Sequence, residues 1–273
     1  MIDYFYDDLK DYRKDKFILN IFDPFYSRMN STKYTKSSIC LIYLATILLL
    51  GTAILSLSQY ISTFIYYVLS LIILLFCLRT NQYNRDIEEL KIKLEFKKND
   101  INKTLLFKLC PNLKNSRAKS NLNELVIKNL FYNSVRTTFG IIFFFILLGA
   151  PGALVYKLID FFIYSDEFKI DTKNKQDLKK SMFYIDFIPV RLTSYCFSVV
   201  SNYDQVIDRI NNLKLSSNPY LSNIEFINQT GESVYDGSQK EADQIMQIQN
   251  ILSRTLIAWL GIIFLLAIAG VFI

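Results

Sequence analysis

The charged residues of this 273-residue chain fall in blocks, and three long stretches contain none. The longest lies between Lys36 and Arg79, the second covers Thr137 to Tyr156, and the third covers Thr255 to Ile273. An α-helix rises ~1.5 Å per residue and a bilayer hydrocarbon core is ~30 Å thick, so one crossing needs ~20 apolar residues. The first stretch fits two crossings joined by a turn at residues 58–60. The sequence therefore predicts an all-α, polytopic integral membrane protein with about four transmembrane helices.

Composition narrows the function classes further. Hydrophobic residues make up 51% of the chain and charged residues 21%, which excludes a disordered chain and a DNA-wrapping basic domain. The chain has no histidine, so catalytic triads and zinc sites that use imidazole are excluded. The four cysteines, Cys40, Cys77, Cys110 and Cys196, form no CxxC motif, and a metal site or disulfide is not expected. The sequence identifies no catalytic residue, metal ligand, cofactor or nucleic-acid partner.

Loop charge predicts the orientation in the membrane. Residues 79–136 carry 13 Lys and Arg against six Asp and Glu, so the positive-inside rule places the N-terminus and residues 80–136 in the cytoplasm. The lysines between residues 169 and 180 favour a cytoplasmic position for residues 165–254 as well. A plain count of four spans instead puts residues 165–254 outside the cytoplasm. The conflict disappears if residues 137–164 form a broken or re-entrant segment that turns back at Gly149-Ala-Pro-Gly-Ala. Both topologies stay open, with four spans as the default.

These patterns divide the chain into six segments: a cytoplasmic N-terminal segment 1–37, a transmembrane hairpin 38–79, a basic helical cytoplasmic segment 80–136, a membrane and interfacial region 137–204, a polar loop and helix 205–254, and a C-terminal transmembrane helix 255–273. Apolar spacing predicts a helix over 81–98, where a strand is the alternative, and another over 121–132. Residues 211–240 are rich in Asn, Ser and Gln and predict a loop. Trp259 is expected to anchor the last span at the interface.

The stretch GAPGALVYKLID, residues 149–160, is the first place where charges enter apolar surroundings. Pro151 and Gly152 predict a break or kink in a membrane helix. Lys157 and Asp160 follow one helical turn apart and can pair. One interpretation is a lysine that snorkels to the interface beside a solvated partner. The other is a kinked half-helix whose exposed carbonyls and paired charges line a ligand pocket.

The second such place is residues 183–204. Pro189 fits the first turn of a helix, where its missing N–H would be unpaired anyway. Asp186 lies just before that turn, where a carboxylate favours the positive end of the helix dipole. Arg191 follows and precedes a long uncharged run. Asp186 and Arg191 form either a structural ion pair or an anion site in which arginine supplies a fork of donors.

Both stretches carry a resemblance to a known family. The segment LLGAPGALVYKLID, followed about 25 residues later by DFIPVRL, resembles the paired signature of the AmpE branch of the AmpE/CobD/CbiB membrane family. The last span, SRTLIAWLGIIFLLAIAG, is similar to the C-terminal helix of AmpE proteins. The resemblance covers most of the chain and is strongest over residues 133–204 and 248–273.

The resemblance implies a multi-pass protein of the bacterial inner membrane that modulates β-lactamase induction, and hence antibiotic resistance, or cell-wall stress signalling. It implies no firm reaction, so a signalling role is favoured over an enzyme. Beyond the lipid bilayer, the expected partner is a small anionic ligand or cell-wall-derived metabolite. Arg191 would bind the anion, Asp186 would orient Arg191, and Lys157, beside Asp160, would supply a second charge.

Two other functions are weaker alternatives. One is a CobD/CbiB-like adenosylcobinamide-phosphate synthase, an amide-forming enzyme of cobalamin biosynthesis. That branch carries an Asn-x-x-Asp-Ser-Met-type stretch, whereas Asp160 here is followed by Phe-Phe-Ile-Tyr. The other is a small-solute transporter, against which the sequence shows no inverted repeat that pairs two broken spans.

Overall fold

Helices account for nearly all of the chain that the computed structural model describes, which comprises residues 48–53, 56–57, 63–78, 80–95, 103–110, 122–164 and 172–270. Within these ranges no residue is in a β-strand, and the all-α prediction is confirmed. The first half contains α1 (Thr63–Cys77), α2 (Thr80–Glu95), α3 (Lys103–Leu109) and α4 (Leu122–Ser134). α4 continues through a π-helical turn, Val135–Phe139, into α5 (Gly140–Tyr164). The second half contains α6 (Thr172–Val200), α7 (Tyr203–Asn211), α8 (Pro219–Glu232) and α9 (Glu241–Ile268).

Within the described residues, three helical segments are long and apolar enough to cross a membrane: Asn123–Tyr164, Gln176–Val200 and Glu241–Ile268. α1 is also apolar but has only 15 residues. Large hydrophobic side chains are exposed along α1 and along the C-terminal half of α9, as expected of surfaces that face lipid. The fold is therefore that of a helical membrane protein. The predicted turn at 58–60 and the segment 1–37 lie outside the described residues.

Gly149 reverses the direction of the chain within α5. Its backbone angles, φ 70° and ψ −164°, lie in a region that is essentially restricted to glycine. The ring of Phe144 stacks on that of Tyr156 with centroids 5.3 Å apart, although twelve residues of straight helix would separate them by ~18 Å. α5 therefore has an outgoing arm, residues 140–148, and a return arm, residues 150–164. Together the arms form a helical hairpin, which is the re-entrant alternative.

Pro151 and Gly152 lie in the first turn of the return arm, directly after the reversal at Gly149. Proline is favoured in a first turn because its missing N–H has no helical partner there. Gly152 is needed for the close approach of the two arms. A Cβ atom at this position would lie 2.5 Å from the carbonyl oxygen of Phe144 and 2.5 Å from Cβ of Leu148.

The chain segments before and after the hairpin pack against each other. The Asn228 side chain donates to Oδ1 of Asn129 (3.1 Å) and accepts from the Tyr132 backbone N–H (3.3 Å). Nζ of Lys128 lies 3.3 Å from a carboxylate oxygen of Glu232. α4 and α8 therefore belong to one helical body. We predict that they lie on the same side of the bilayer, as the re-entrant alternative requires.

Accessibility labelling tests this shared side. Single cysteines replace Glu124, before the hairpin, and Lys180, after it, in a background without the four native cysteines. Both positions are solvent-accessible, with side chains 50% and 71% exposed. A membrane-impermeant thiol reagent is expected to label neither on intact cells and both after permeabilisation. Labelling of only one position on intact cells would show that residues 137–164 cross the membrane.

α6 is longer than the sequence predicts. The prediction that a helix begins at Pro189 is wrong, because α6 begins at Thr172 and Pro189 lies in its interior. A proline inside a helix leaves the carbonyl four residues earlier, that of Ile185, without its usual donor. Contacts along the inward face of α6, where Met182, Val190 and Phe197 are fully buried, compensate for this loss.

The prediction of a loop over residues 211–240 is wrong in its middle, where α8 forms. Pro219 opens α8, as proline favours the first helical position. Ile224 and Ile227 are three residues apart on one face and are buried in the core. The polar composition of the segment hid this face, which is stabilised by packing on α4 and α6.

Two other helices follow the sequence more closely. α2 confirms the helix predicted over 81–98 and excludes the strand, with Ile87 and Leu90 in the core. α4 confirms the helix predicted over 121–132.

α9 begins at Glu241, well before residue 255, where the sequence predicts the last helix to start. Trp259 packs on Phe139 and Phe143 and is only 6% exposed, so it belongs to the core.

Candidate functional site

A buried polar network lies where α4, the π-helical turn, the return arm and α6 meet. At its centre is Asp186, which is 1% exposed. The hydroxyl groups of Tyr132 (2.9 Å) and Tyr156 (2.7 Å) donate to its two carboxylate oxygens. Each of these three residues comes from a different helix, so the network joins α4, the return arm and α6.

Arg136 and Asp160 form the second half of this network. Nε of Arg136 donates to Oδ1 of Asp160 at 2.6 Å, and the two side chains are only 5% and 8% exposed. Nη1 of Arg136 also donates to Asn133 (3.1 Å), and the guanidinium lies 3.6 Å from the ring centroid of Tyr164. Arg136 precedes the hairpin and Asp160 lies in the last turns of its return arm. The ion pair therefore closes the base of the hairpin.

Lys157 lies beside this ion pair. Its Nζ atom is 3.9 Å from Oδ2 of Asp160, as the spacing of the two residues predicts. The lysine side chain is only 8% exposed, so it does not snorkel to the interface. Asp160 binds Arg136 more closely than Lys157. Sequence reasoning missed Arg136 because it lies 24 residues away and only the reversal at Gly149 brings it near.

Asp186 and Arg191 do not pair, and the expectation that Asp186 orients Arg191 is wrong. Five residues along a helix turn through about 500°, so their side chains point about 140° apart. Asp186 points inward to Tyr132 and Tyr156. Arg191 occupies a separate site on the other side of α6.

Asn223 and two aromatic rings hold Arg191. Nη1 of Arg191 donates to Oδ1 of Asn223 (3.0 Å) and to the Phe187 carbonyl (3.1 Å). The guanidinium carbon lies 3.4 Å from the ring centroid of Phe187 and 4.9 Å from that of Phe226. Asn223 is 1% exposed and is itself fixed by a bond to the Phe183 carbonyl at 2.8 Å. The orientation of the guanidinium is therefore set by the protein.

One edge of this guanidinium remains available. In the described ranges, Nε and Nη2 of Arg191 have no hydrogen-bond partner and no carboxylate pairs with the side chain. Arginine presents these donors as a planar fork that matches a carboxylate or a phosphate. Arg191 is thus a fixed cation with two donors that have no described partner, whereas Arg136 of the buried network pairs with Asp160.

A polar cavity elsewhere in the helical body is less suited to an anion. It has a volume of about 420 Å³ and lies between α4, α8 and the start of α9. Three glutamates and one lysine line it: Glu124, Glu232, Glu241 and Lys128. Lys128 already bridges Glu124 and Glu232. The excess of negative charge disfavours an anionic ligand.

The cysteines of the described ranges are free and buried. Burial raises the pKa of the Cys110 thiol to about 12, so this thiol stays protonated at neutral pH. Cys40 lies outside the described residues. Within these ranges, no three Cys, Asp or Glu side chains are grouped as metal ligands.

Comparisons of the chain with protein-family models, with curated proteins and with solved structures find no match.

Proposed function

We propose that the protein is an AmpE-like regulatory protein of the bacterial inner membrane, which modulates β-lactamase induction or the response to cell-wall stress by binding a small anionic ligand. The observation that carries the proposal is Arg191. It is half-buried, fixed by Asn223 and Phe187, and free of a carboxylate partner within the described residues. A cation in apolar surroundings is costly unless an anion compensates for it.

Lys157 has a different part in this proposal from the one its sequence position suggested. It lies within the buried network beside Asp160, and no described contact joins it to Arg191. The second contribution to the anion site comes from Asn223, which accepts from Nη1 and so fixes the orientation of the guanidinium.

α6 provides a route from the anion to the hairpin. Asp186 faces the hairpin, Arg191 faces the anion site, and Pro189 lies between them. The missing backbone hydrogen bond at Pro189 makes this turn of the helix easier to bend. An anion that engages Arg191 would shift the outer part of α6 against the part fixed to Tyr132 and Tyr156. This displacement is the proposed signal.

Complementation of a deletion strain tests the proposal. Deletion of the gene is expected to change β-lactamase induction by a β-lactam, and the native gene should restore it. Arg191→Gln and Arg191→Lys should both fail at normal membrane abundance, because neither supplies the two-pronged contact. Lys180→Gln removes a mostly exposed charge from the same helix and should restore induction. Normal induction in the deletion strain would exclude the regulatory role.

A further inference from the structure

α6 presents an uncovered apolar face beside Arg191. Large hydrophobic side chains spaced three or four residues apart are exposed along it: Tyr184, Ile188, Leu192, Tyr195 and Val199. This spacing places them on one side of the helix, over a length of ~22 Å. We refer to these five residues as the apolar stripe.

The apolar stripe is not a misplaced part of the core. The opposite side of α6 holds the buried residues Met182, Asp186, Val190, Thr193 and Phe197, which pack into the helical body. α6 therefore has two distinct faces, and both are mainly apolar. In a helical membrane protein, an exposed apolar face of this size is suited to contact with lipid, since water would disfavour it.

Arg191 lies on the flank of the apolar stripe. It follows Ile188 by three residues, which places it about 60° from the middle of the stripe at half of its length. The protein uses Nη1 to fix the guanidinium and leaves Nε and Nη2 without a described partner. A ligand that reaches these donors therefore also meets the apolar stripe.

We infer that Arg191 and the apolar stripe together bind an anionic phospholipid of the bilayer. The phosphate accepts from Nε and Nη2 of Arg191, and an acyl chain lies along Ile188 and Leu192. The inference rests on the proposed anion site and names the class of its ligand. A lipid satisfies both features at once, whereas a soluble anion would engage the arginine and leave the apolar stripe unused.

Binding of defined lipids to the purified full chain in neutral detergent tests the inference. Native mass spectrometry compares phosphatidylglycerol with diacylglycerol, which carries the same acyl chains without a phosphate, and glycerol phosphate serves as a soluble anion. The wild type should prefer phosphatidylglycerol by about tenfold, the equivalent of one charge-assisted hydrogen bond. Arg191→Gln should remove this preference and Arg191→Lys should reduce it. The control Lys180→Gln should keep it.

A second variant examines the apolar stripe with Arg191 intact. Ile188→Ser/Leu192→Ser changes only exposed side chains and should weaken phosphatidylglycerol binding while leaving any binding of glycerol phosphate unchanged. An unchanged lipid preference in Arg191→Gln would overturn the inference. If glycerol phosphate or muramidase-released muropeptides bind through Arg191 as tightly as the lipid, the ligand is soluble; the inference then fails and the anion site stands. If the wild type binds none of these anions, both the inference and the anion site fail.

Discussion

Replacing Asp160 with alanine is expected to destabilise the protein by about 3–5 kcal/mol, because the change leaves Arg136 as a buried charge without its partner. Arg136 is 4% exposed, and its 2.6 Å bond to Asp160 joins the residues before the hairpin to those after it. The loss should appear as a lower midpoint in thermal or denaturant unfolding of the purified protein in detergent. Membrane abundance should fall in parallel.

Two further variants distinguish the loss of a buried ion pair from the loss of an exposed charge. Asp177→Ala removes a 41% exposed carboxylate, 3.6 Å from Lys180, and should cost less than about 1 kcal/mol. The double change Arg136→Leu/Asp160→Leu removes both charges and should recover much of the stability lost in Asp160→Ala. If Asp160→Ala is no more harmful than Asp177→Ala, the pair does not hold the base of the hairpin.

The features of the fold that depend on local composition could be predicted from the sequence. The long uncharged stretches indicate membrane helices because only a helix satisfies its backbone within a single apolar segment. The sequence offers the reversal only as an alternative, since Gly149, Pro151 and Gly152 are residues that a straight helix disfavours. The loop charges support this alternative, although four plain spans are the default prediction, and the contacts between α4 and α8 agree with a reversal.

The partners in the site could not be predicted, because they depend on which helices meet. Asp186 and Arg191 are close in sequence, and this suggested an ion pair. A continuous α6 points them in different directions, and Pro189 does not end the helix because packing along the inward face of α6 sustains it. The partners come from distant parts of the chain. Tyr132 lies 54 residues from Asp186, Arg136 lies 24 residues from Asp160, and Asn223 lies 32 residues from Arg191. The available sequence signal for Arg136 was its position directly before the uncharged run Thr137 to Tyr156.

The proposed signal depends on the same geometry. The ion pair between Arg136 and Asp160 fixes the base of the hairpin, and Asp186 ties the hairpin to α6 through Tyr156. Arg191 lies outside this network, so a ligand can engage it without breaking a buried pair. Loss of the network should therefore lower stability, whereas loss of Arg191 should lower activity at normal abundance.

Gly152→Ala is the second change expected to have a large effect, a destabilisation of about 3 kcal/mol. Its Cβ would lie 2.5 Å from the Phe144 carbonyl oxygen, and backbone cannot move aside as a flexible side chain can. The arms must separate, which weakens the stacking of Phe144 on Tyr156 and strains the bond from Tyr156 to Asp186. Gly261→Ala is the matched control, because nothing lies within 4 Å of a Cβ in that exposed part of α9. The control should be neutral or slightly stabilising, as alanine favours a helix.

The stabilities of Gly152→Ala and Gly261→Ala are compared through their unfolding midpoints. Cross-linking tests the hairpin itself. Cysteines at Phe144 and Tyr156 should be joined by a short bifunctional thiol reagent in a background without the four native cysteines, since the rings lie 5.3 Å apart. The yield should fall when Gly152→Ala is added and stay the same with Gly261→Ala. A straight α5 would hold the two positions ~18 Å apart and prevent the cross-link altogether. Equal stability of the two glycine variants together with no cross-link would show that the chain does not reverse at Gly149.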